Sequence, residues 1–244
     1  MSDITVEAMR ENIIGIRARI DAAAKRSGRK AEDITLIAVS KFQPLESLYM
    51  ALDCGITIFG ENRVQEREQK AAAWARERAE WHMIGHLQRN KARKAAELFD
   101  CVQSVDSFEL ASALDRIVVE KACPGLKAGP FVIMIEANTS GEESKSGVSP
   151  DSCVALAEKI ISECPNLRAD GFMTIGPLAG AGETRRSFAF LRTLAGEAKA
   201  KLGLKARHLS MGMSGDFEAA IEEGATIVRI GTGIFGARRL RDKL

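Results

Sequence analysis

A lysine follows directly on an apolar run early in the sequence, and its amine could act as a nucleophile. The run Ile34–Val39 ends in Ser40 and Lys41, and Pro44 opens a helical pattern. A lysine held against apolar walls has a lowered pKa, because desolvation disfavours the ammonium form. The neutral amine can then form a Schiff base with an aldehyde. The alternative is a structural lysine that pairs with a carboxylate such as Glu61.

Two glycine-rich segments near the end of the chain could bind an anion. They are Leu209–Ala220 and Val228–Arg238. Glycine allows backbone N–H groups to approach a phosphate closely. Ser214, Gly215 and Asp216 have the pattern of a helix start, where N–H groups and the helix dipole favour negative charge.

The second segment would complete a phosphate site from the other side. Gly231 offers an N–H group and Thr232 a hydroxyl, and Arg229 could pair with a phosphate or with a ring nitrogen. Together with the amine of Lys41, this describes a site for a phosphorylated aldehyde. Pyridoxal 5′-phosphate (PLP) fits, and so does a sugar phosphate bound by a Schiff-base aldolase; spacing does not separate the two.

These residues must be positioned by the surrounding elements, which alternate between short apolar runs and helical patterns. The helical patterns include 5–25, 107–122, 151–163 and 184–202. The apolar runs are 34–39, 57–59, 81–84, 102–105, 131–136, 169–174, 206–210 and 226–230.

Eight buried runs separated by helices predict an α/β fold, a parallel (β/α)₈ TIM barrel formed by residues 1–244 as a single domain. The N-terminal helix could fill the position after the eighth strand. Active sites of such barrels lie at the carboxyl ends of the strands, and phosphate often binds after strands seven and eight. An open doubly wound sheet is the alternative.

The composition excludes several classes of protein. The net charge of +2, from 35 basic and 33 acidic residues, implies no polyanionic partner, and no apolar run is long enough for a membrane span. The N-terminus is charged throughout and does not have the pattern of a signal peptide. Five scattered cysteines without a CxxC pair indicate reduced thiols. We therefore expect a cytoplasmic protein with neither nucleic-acid nor membrane partners.

Other candidate residues carry weaker signals. His82 and His86 have a spacing that could bind a metal on a helix, but no third ligand is evident and we expect no metal. His82 could instead lie near the cofactor. The basic run Arg89–Asp100 is typical of a solvated helix face. Lys145, in the polar loop 138–148, is a rival Schiff-base lysine, although a hydrated loop would keep its amine protonated.

Long motifs in the sequence resemble the pyridoxal phosphate homeostasis proteins. The resemblance runs from about Leu36 to Arg238. It implies a single-domain barrel of the alanine racemase N-terminal type, the fold of fold-type III PLP proteins. The motifs are AVSKFQP, FGENRVQE, WHMIGHLQRNKAR, SVDS, MIEANTSGEESKSGV, GFMTIGP and LSMGMSGDFEAAIEEGATIVRIGTGIFGAR.

The resemblance also implies the cofactor-binding residues. The lysine of the A-V-S-K motif, which carries PLP, falls on Lys41, and the asparagine of the G-E-N motif, expected close to the ring, falls on Asn62. The arginine that faces the pyridine nitrogen falls on Arg229. The phosphate-binding residues fall on Ser214, Gly215, Gly231 and Thr232. Many bacterial relatives have proline where this chain has His86.

Members of this family are regarded as regulators of vitamin B6 supply, and the resemblance implies no catalytic residue here. Related racemases use a tyrosine from a second domain as a base opposite the lysine; we expect no such domain, and the only tyrosine is Tyr49. A cationic Arg229 would also weaken the pyridine ring as an electron sink. The expected function is PLP carriage on Lys41 by a monomer, with apo-enzymes as recipients. A weak amino-acid racemase is the alternative.

Overall fold

The computed structural model of the 244-residue chain describes residues 4–71, 74, 79–120, 129–142, 146–177, 180–204 and 207–236. Within them, eight parallel strands form a closed barrel and follow one another around it in chain order. The strands are β1 (Thr35–Val39), β2 (Ile58–Glu61), β3 (Glu80–Met83), β4 (Cys101–Val105), β5 (Phe131–Glu136), β6 (Leu167–Met173), β7 (His208–Ser210) and β8 (Ile227–Ile230).

Helices surround the barrel, with at least one after every strand. They are α1 (Val6–Arg26), α2 (Leu45–Asp53), α3 (Val64–Ala71), α4 (Ala92–Leu98), α5 (Phe108–Val119), α6 (Pro150–Glu163), α7 (Ala181–Leu202), α8 (Phe217–Glu222) and α9 (Thr232–Phe235). Two 3₁₀ turns, Ala31–Asp33 and Arg89–Lys91, precede β1 and α4.

Pairing between the first and last strands closes the barrel. Thr35 is in register with Ile227, and Ala38 with Ile230. The predicted eight-stranded barrel is therefore confirmed, and the alternative of an open doubly wound sheet is wrong. The predicted strand ends differ from the observed ones by at most two residues, and those of β5 coincide. The differences arise because the apolar patterns do not record where hydrogen bonding begins and ends.

The N-terminal helix occupies the position predicted for it. Thr5 caps α1, since its hydroxyl accepts from the backbone N–H of Ala8 at 3.2 Å. Met9, Ile13 and Ile20 share a buried face with helical spacing. This face packs against α8, α9 and α2, so that α1 completes the ring of helices between the last strand and the first.

The strands are buried on both faces, which explains their nearly continuous apolar sequences. The outward face packs against the helices through side chains such as Phe59 and Trp81. The inward face carries a smaller apolar cluster of Ile37, Cys101, Met134, Met173 and Ile227. Among the described residues, no helix has the length and apolarity needed to cross a membrane.

Candidate functional site

All seven residues proposed to bind the cofactor lie at the same end of the barrel, where the strands have their carboxyl termini. Lys41 and Asn62 follow β1 and β2, Ser214 and Gly215 lie between β7 and α8, Arg229 is the third residue of β8, and Gly231 and Thr232 follow that strand. This is the end at which TIM barrels place their active sites.

The two glycine-rich segments meet at this end. The hydroxyl oxygen of Ser214 accepts a hydrogen bond from the backbone N–H of Gly233, with an N–O distance of 3.3 Å. Within β8, the backbone N–H of Arg229 donates to the carbonyl of Gly212, in the segment after β7, at 3.0 Å. The two glycine-rich segments, about 20 residues apart in the chain, therefore form one continuous surface.

Two glycines of this surface are not required by the fold. Neither Gly215 nor Gly231 has a positive φ. A Cβ on Gly215 would meet no atom within 4 Å, and one on Gly231 would make only an ordinary contact of 3.5 Å with Val39. Among the described residues, the backbone N–H groups of Ser214 and Gly215 donate to no protein acceptor. Available donors beside open space fit a bound phosphate.

The contact between Gly231 and Val39 brings the segment after β8 close to the strand that precedes Lys41. Gly231 lies against Val39, the last residue of β1, and Lys41 follows two residues later. Lys41 therefore follows a strand whose end lies beside the second glycine-rich segment.

The predicted helix start at Ser214–Asp216 is a turn that leads into α8. Asp216 takes the N-cap position, and α8 begins at Phe217. The carboxylate of Asp216 accepts from the backbone N–H of Met213 at 2.5 Å and caps no N–H of the helix. The N–H groups of the turn, more than the dipole of a six-residue helix, make this segment suitable for an anion.

The backbone before Lys41 is held by a buried ion pair. The Lys70 ammonium contacts the carboxylate of Glu61 and donates to the carbonyl of Ser40 at 2.8 Å. The Ser40 hydroxyl donates to the same Glu61 oxygen at 2.8 Å. Burial raises the pKa of Glu61, and the nearby Lys70 charge opposes this shift. Glu61, the candidate structural partner of Lys41, is thus engaged by Lys70 and Ser40.

The residue after Lys41 is also fixed. Phe42 has a φ of 62°, in the left-handed region that a non-glycine residue adopts only at a cost of roughly 1–3 kcal/mol. Its N–H donates to the Glu66 carboxylate on α3 at 2.9 Å. Because both neighbours of Lys41 are held, the backbone from which its amine projects is preorganised.

Arg229 is buried in the barrel, with a defined orientation. Its Nη1 donates to the Ser210 hydroxyl at 2.7 Å, and its Nη2 donates to the Thr174 carbonyl at 2.8 Å. Burial lowers the pKa of Arg229 to about 10, while the charges of Glu136 and Asp216 act in the opposite direction. The guanidinium therefore remains a cation and a donor at neutral pH.

Sequence reasoning missed one buried carboxyl group at this end of the barrel, Glu136. It ends β5, only 3% of it is exposed, and its Oε2 has no hydrogen-bond partner among the described residues. Burial raises the pKa of Glu136 to about 7, repulsion from Asp106 adds to this, and Arg229 opposes it. A charged residue at the end of the run FVIMIE is the same signal that singled out Lys41.

Asn62 is positioned by a close approach of two backbones. A Cβ on Gly85 would lie 2.4 Å from the carbonyl oxygen of Asn62, so only glycine fits there. A cavity of about 520 Å³ lies beside Asn62, between α3 and the segment after β3. Asn62 is the only one of the seven residues that lines it.

The structure separates the two histidines that were considered together. His86 is half exposed and lies 3.2 Å from the Asp106 carboxylate. His82, the third residue of β3, is buried and forms hydrogen bonds with Gln103 and Glu80. No group of three potential ligands in the described part of the chain could hold a metal.

Tyr49 and Lys145 are the two remaining candidate residues. Tyr49 is on α2, where its ring stacks on Trp74 with centroids 4.9 Å apart. It belongs to the layer between helices and sheet. The rival lysine, Lys145, lies outside the described residues.

Comparison with known proteins shows which class of barrel this chain forms. Residues 4–239 match the family described as alanine racemase, N-terminal domain. The fold is similar to that of alanine racemase from Corynebacterium glutamicum, with a TM-score of 0.69 at 17% identity over 96% of this chain and 62% of the racemase.

Closer relatives define the particular family. A pyridoxal phosphate homeostasis protein of Pseudomonas aeruginosa is 44% identical over 93% of this chain and 95% of its own length. The structure of PipY from Synechococcus elongatus with PLP bound has a TM-score of 0.79 at 35% identity, covering 93% of this chain and all of PipY. This chain belongs to the pyridoxal phosphate homeostasis protein family.

Proposed function

We propose that this protein binds PLP, carries it on Lys41 and takes part in regulating the supply of this cofactor. The relatives named for pyridoxal phosphate homeostasis and the PLP-bound structure of PipY support this function. The observation that carries it is the meeting of the two loops through Ser214 and Gly233, beside the strand that leads to Lys41.

Each proposed residue has a distinct task in holding the cofactor. When bound, PLP supplies an aldehyde that reacts with amines. Lys41 provides the amine for covalent attachment. Arg229 presents a cationic donor to the pyridine nitrogen, and Asn62 lies beside the ring.

The phosphate of PLP would be held by four residues of the two loops. Backbone N–H groups come from Ser214, Gly215 and Gly231, and hydroxyls come from Ser214 and Thr232. Hydrogen bonds to a charged phosphate are stronger than those between neutral groups. They retain the cofactor independently of the covalent attachment.

The same residues make the site unsuited to turnover, and we propose a carrier rather than an enzyme. Catalysis of carbanion chemistry by PLP needs a ring that accepts electrons, which protonation of the pyridine nitrogen promotes. Arg229, with a pKa of about 10, is already protonated and disfavours a second positive charge beside it. Tyr49, on α2, is not available as a base opposite Lys41.

Glu136 favours the alternative, a weak amino-acid racemase. A carboxyl group whose pKa is about 7 can both donate and accept a proton at neutral pH. It could therefore take the part of the second base. The proposal of a carrier requires that Glu136 does not do so.

We also propose a compartment, an oligomeric state and recipients of the cofactor. It would act in the cytoplasm as a monomer and deliver PLP to apo-enzymes. The four cysteines in the described residues form no disulfide, which fits a reducing compartment.

The visible absorption spectrum tests the function. Purified protein, stripped of cofactor and titrated with PLP, should develop a visible band that Lys41→Ala lacks. Lys94→Ala, which alters an exposed lysine on α4, serves as the matched control and should behave like the wild type. Restoration of activity in an apo-enzyme mixed with the loaded protein then tests delivery. A wild-type spectrum identical to that of free PLP would overturn the proposal.

A further inference from the structure

A continuous row of hydrogen-bonded side chains crosses the interior of the barrel. Arg229 Nη1 lies 2.7 Å from the Ser210 hydroxyl, which lies 2.7 Å from Oε1 of Gln103. Nε2 of Gln103 lies 2.7 Å from Nδ1 of His82. Nε2 of His82 lies 2.8 Å from a carboxylate oxygen of Glu80. Four strands contribute to the row.

The chemistry of its members gives the row one direction. A guanidinium only donates, so the Ser210 oxygen accepts from Arg229 and its own proton goes to the Gln103 carbonyl oxygen. The amide nitrogen of Gln103 then donates to Nδ1 of His82. The neutral ring therefore carries its proton on Nε2 and donates it to the carboxylate of Glu80.

The row connects opposite ends of the barrel. Glu80 is the first residue of β3, at the amino end, and its side chain is 44% exposed. Arg229 lies near the carboxyl end and also binds the carbonyl of Thr174, which follows β6. Gln103, in the middle of β4, and Ser210, the last residue of β7, are fully buried.

Such a row is not needed to fill a barrel. Branched apolar side chains normally fill this space, and buried polar groups cost free energy unless all of them are hydrogen-bonded. In the row that runs from Arg229 to Glu80, every contact joins one donor to one acceptor. A fully satisfied buried network fixes the orientation of its members.

We propose that His82 is a positioning residue for the cofactor site, which fixes the orientation of Arg229 through Gln103 and Ser210. This inference rests on the proposed binding of PLP. The unprotonated Nδ1 is the acceptor that orients the Gln103 amide. That amide in turn directs the hydroxyl of Ser210, so that its oxygen faces the guanidinium. Arg229 is thereby held ready for the pyridine nitrogen.

Loss of the acceptor at His82 would propagate along the row. With a proton on Nδ1, or with an apolar side chain, the N–H of Gln103 would face no acceptor. If the Gln103 amide flipped, its N–H group would point at the Ser210 oxygen. The Ser210 hydroxyl would then have no acceptor in the row. Either change frees the guanidinium of Arg229 from its present orientation.

The tautomer of His82 can be measured without any cofactor. The chain has only three histidines, so long-range ¹H–¹⁵N NMR spectra of the unloaded protein can be assigned with His86→Ala and His208→Asn. The expected result is a neutral His82 ring with its proton on Nε2. A proton on Nδ1 of the neutral ring would overturn the proposed direction of the row.

Binding of PLP tests the positioning role with a matched pair of variants. His82→Leu removes the acceptor, whereas His82→Asn keeps a carbonyl oxygen near the place of Nδ1. We expect His82→Leu to weaken PLP affinity about 10-fold and to shift the visible absorption of the bound form. His82→Asn should retain most of the affinity. Equal affinity and an unchanged spectrum in His82→Leu would overturn the role.

A second variant keeps the test valid if His82→Leu unfolds. Ser210→Ala interrupts the row by loss of a single oxygen, and it should reproduce the weaker affinity and the spectral shift. If both variants fold, the double variant should lose no more affinity than either single one, because the row is already broken. Additive losses, or a Ser210→Ala variant with wild-type affinity and spectrum, would contradict the proposal. Failure of the wild type to bind PLP would instead reject the proposed function.

Discussion

The hydroxyl oxygen of Ser214 lies 3.3 Å from the backbone nitrogen of Gly233, and this contact joins the loops after β7 and β8. Each loop alone is a glycine-rich turn of a common kind. In the proposed site, the two loops together present N–H groups and hydroxyls to the phosphate. The binding of phosphate, and with it the retention of PLP, should depend on both loops.

Removal of either hydroxyl should weaken cofactor retention. Ser214→Ala and Thr232→Val each eliminate one hydrogen bond to a charged group, which contributes roughly 1.5–3 kcal/mol, or about 10- to 150-fold in affinity. PLP titration of the cofactor-free variants measures the change. Thr193→Val, on the exposed face of α7, is the control. Unchanged affinity in both Ser214→Ala and Thr232→Val would show that the phosphate binds elsewhere.

Two glycines of the loops should respond differently to alanine. Gly215→Ala adds a methyl group where the protein has no atom within 4 Å, so stability should be retained while the methyl group obstructs the phosphate and lowers PLP affinity. A Cβ on Gly233 would lie 2.9 Å from Cγ2 of Ile230. Gly233→Ala should therefore cost about 1–3 kcal/mol of stability.

Thermal unfolding and PLP titration separate these two effects. The account predicts that Gly215→Ala unfolds at the wild-type temperature and binds PLP poorly. A loss of stability in Gly215→Ala as large as that in Gly233→Ala would mean that Gly215 serves the turn and not the ligand.

Glu136 should make stability depend on pH. Its pKa is about 7 when folded, against an ordinary value of 4.5, so the folded protein binds this proton more tightly. The contribution is fully present below pH 4.5 and is lost as pH rises through about 7. It amounts to about 3 kcal/mol, at 1.36 kcal/mol per pKa unit.

Glu136→Gln isolates this contribution. Urea unfolding of the cofactor-free wild type and variant between pH 4.5 and 8 should show the wild type losing stability relative to Glu136→Gln as pH rises. Other titrating groups, such as Glu61, are common to both proteins and largely cancel in the difference. Glu197→Gln, an exposed carboxylate on α7, should show no such difference. A constant difference for Glu136→Gln across this range would contradict the raised pKa.

Most of the fold could be predicted from the sequence because each strand is buried on both faces. A residue such as Ile37 or Phe59 is apolar whether it points inward or toward the helices, so the strands stand out as continuous runs. That pattern also conceals which face each residue occupies. For this reason His82 could not be assigned to the interior, where it contacts Gln103, a residue 21 positions away.

The proposed cofactor-binding residues follow largely from a family resemblance, and partly from charge at strand ends. Lys41 stands out because a charge ends an apolar run. The same reasoning applied to Glu61 and Glu136 would have identified two more buried charges. The ion pair between Lys70 and Glu61 could not be predicted, since Lys70 looks like one of several charged residues on an ordinary surface helix.

Catalysis should remain close to that of free PLP. A lone Lys41 amine would act on a ring whose nitrogen faces the cation of Arg229, and general acid–base assistance normally contributes about 10²–10⁴-fold. Exchange of the α-hydrogen of L- and D-alanine for deuterium in heavy water measures proton abstraction directly. The loaded protein should match the free-cofactor background. Rapid exchange that disappears in both Lys41→Ala and Glu136→Gln would identify a racemase with these two residues as its bases.

The attachment site of PLP is the most direct test of the central claim. The loaded protein is reduced with borohydride, which fixes the cofactor to its amine, then digested and mapped by mass spectrometry. We predict one phosphopyridoxyl group per chain, on Lys41, and no label in the Lys41→Ala variant. A label on Lys145 or Lys70 in the wild type, with Lys41 unmodified, would contradict the account.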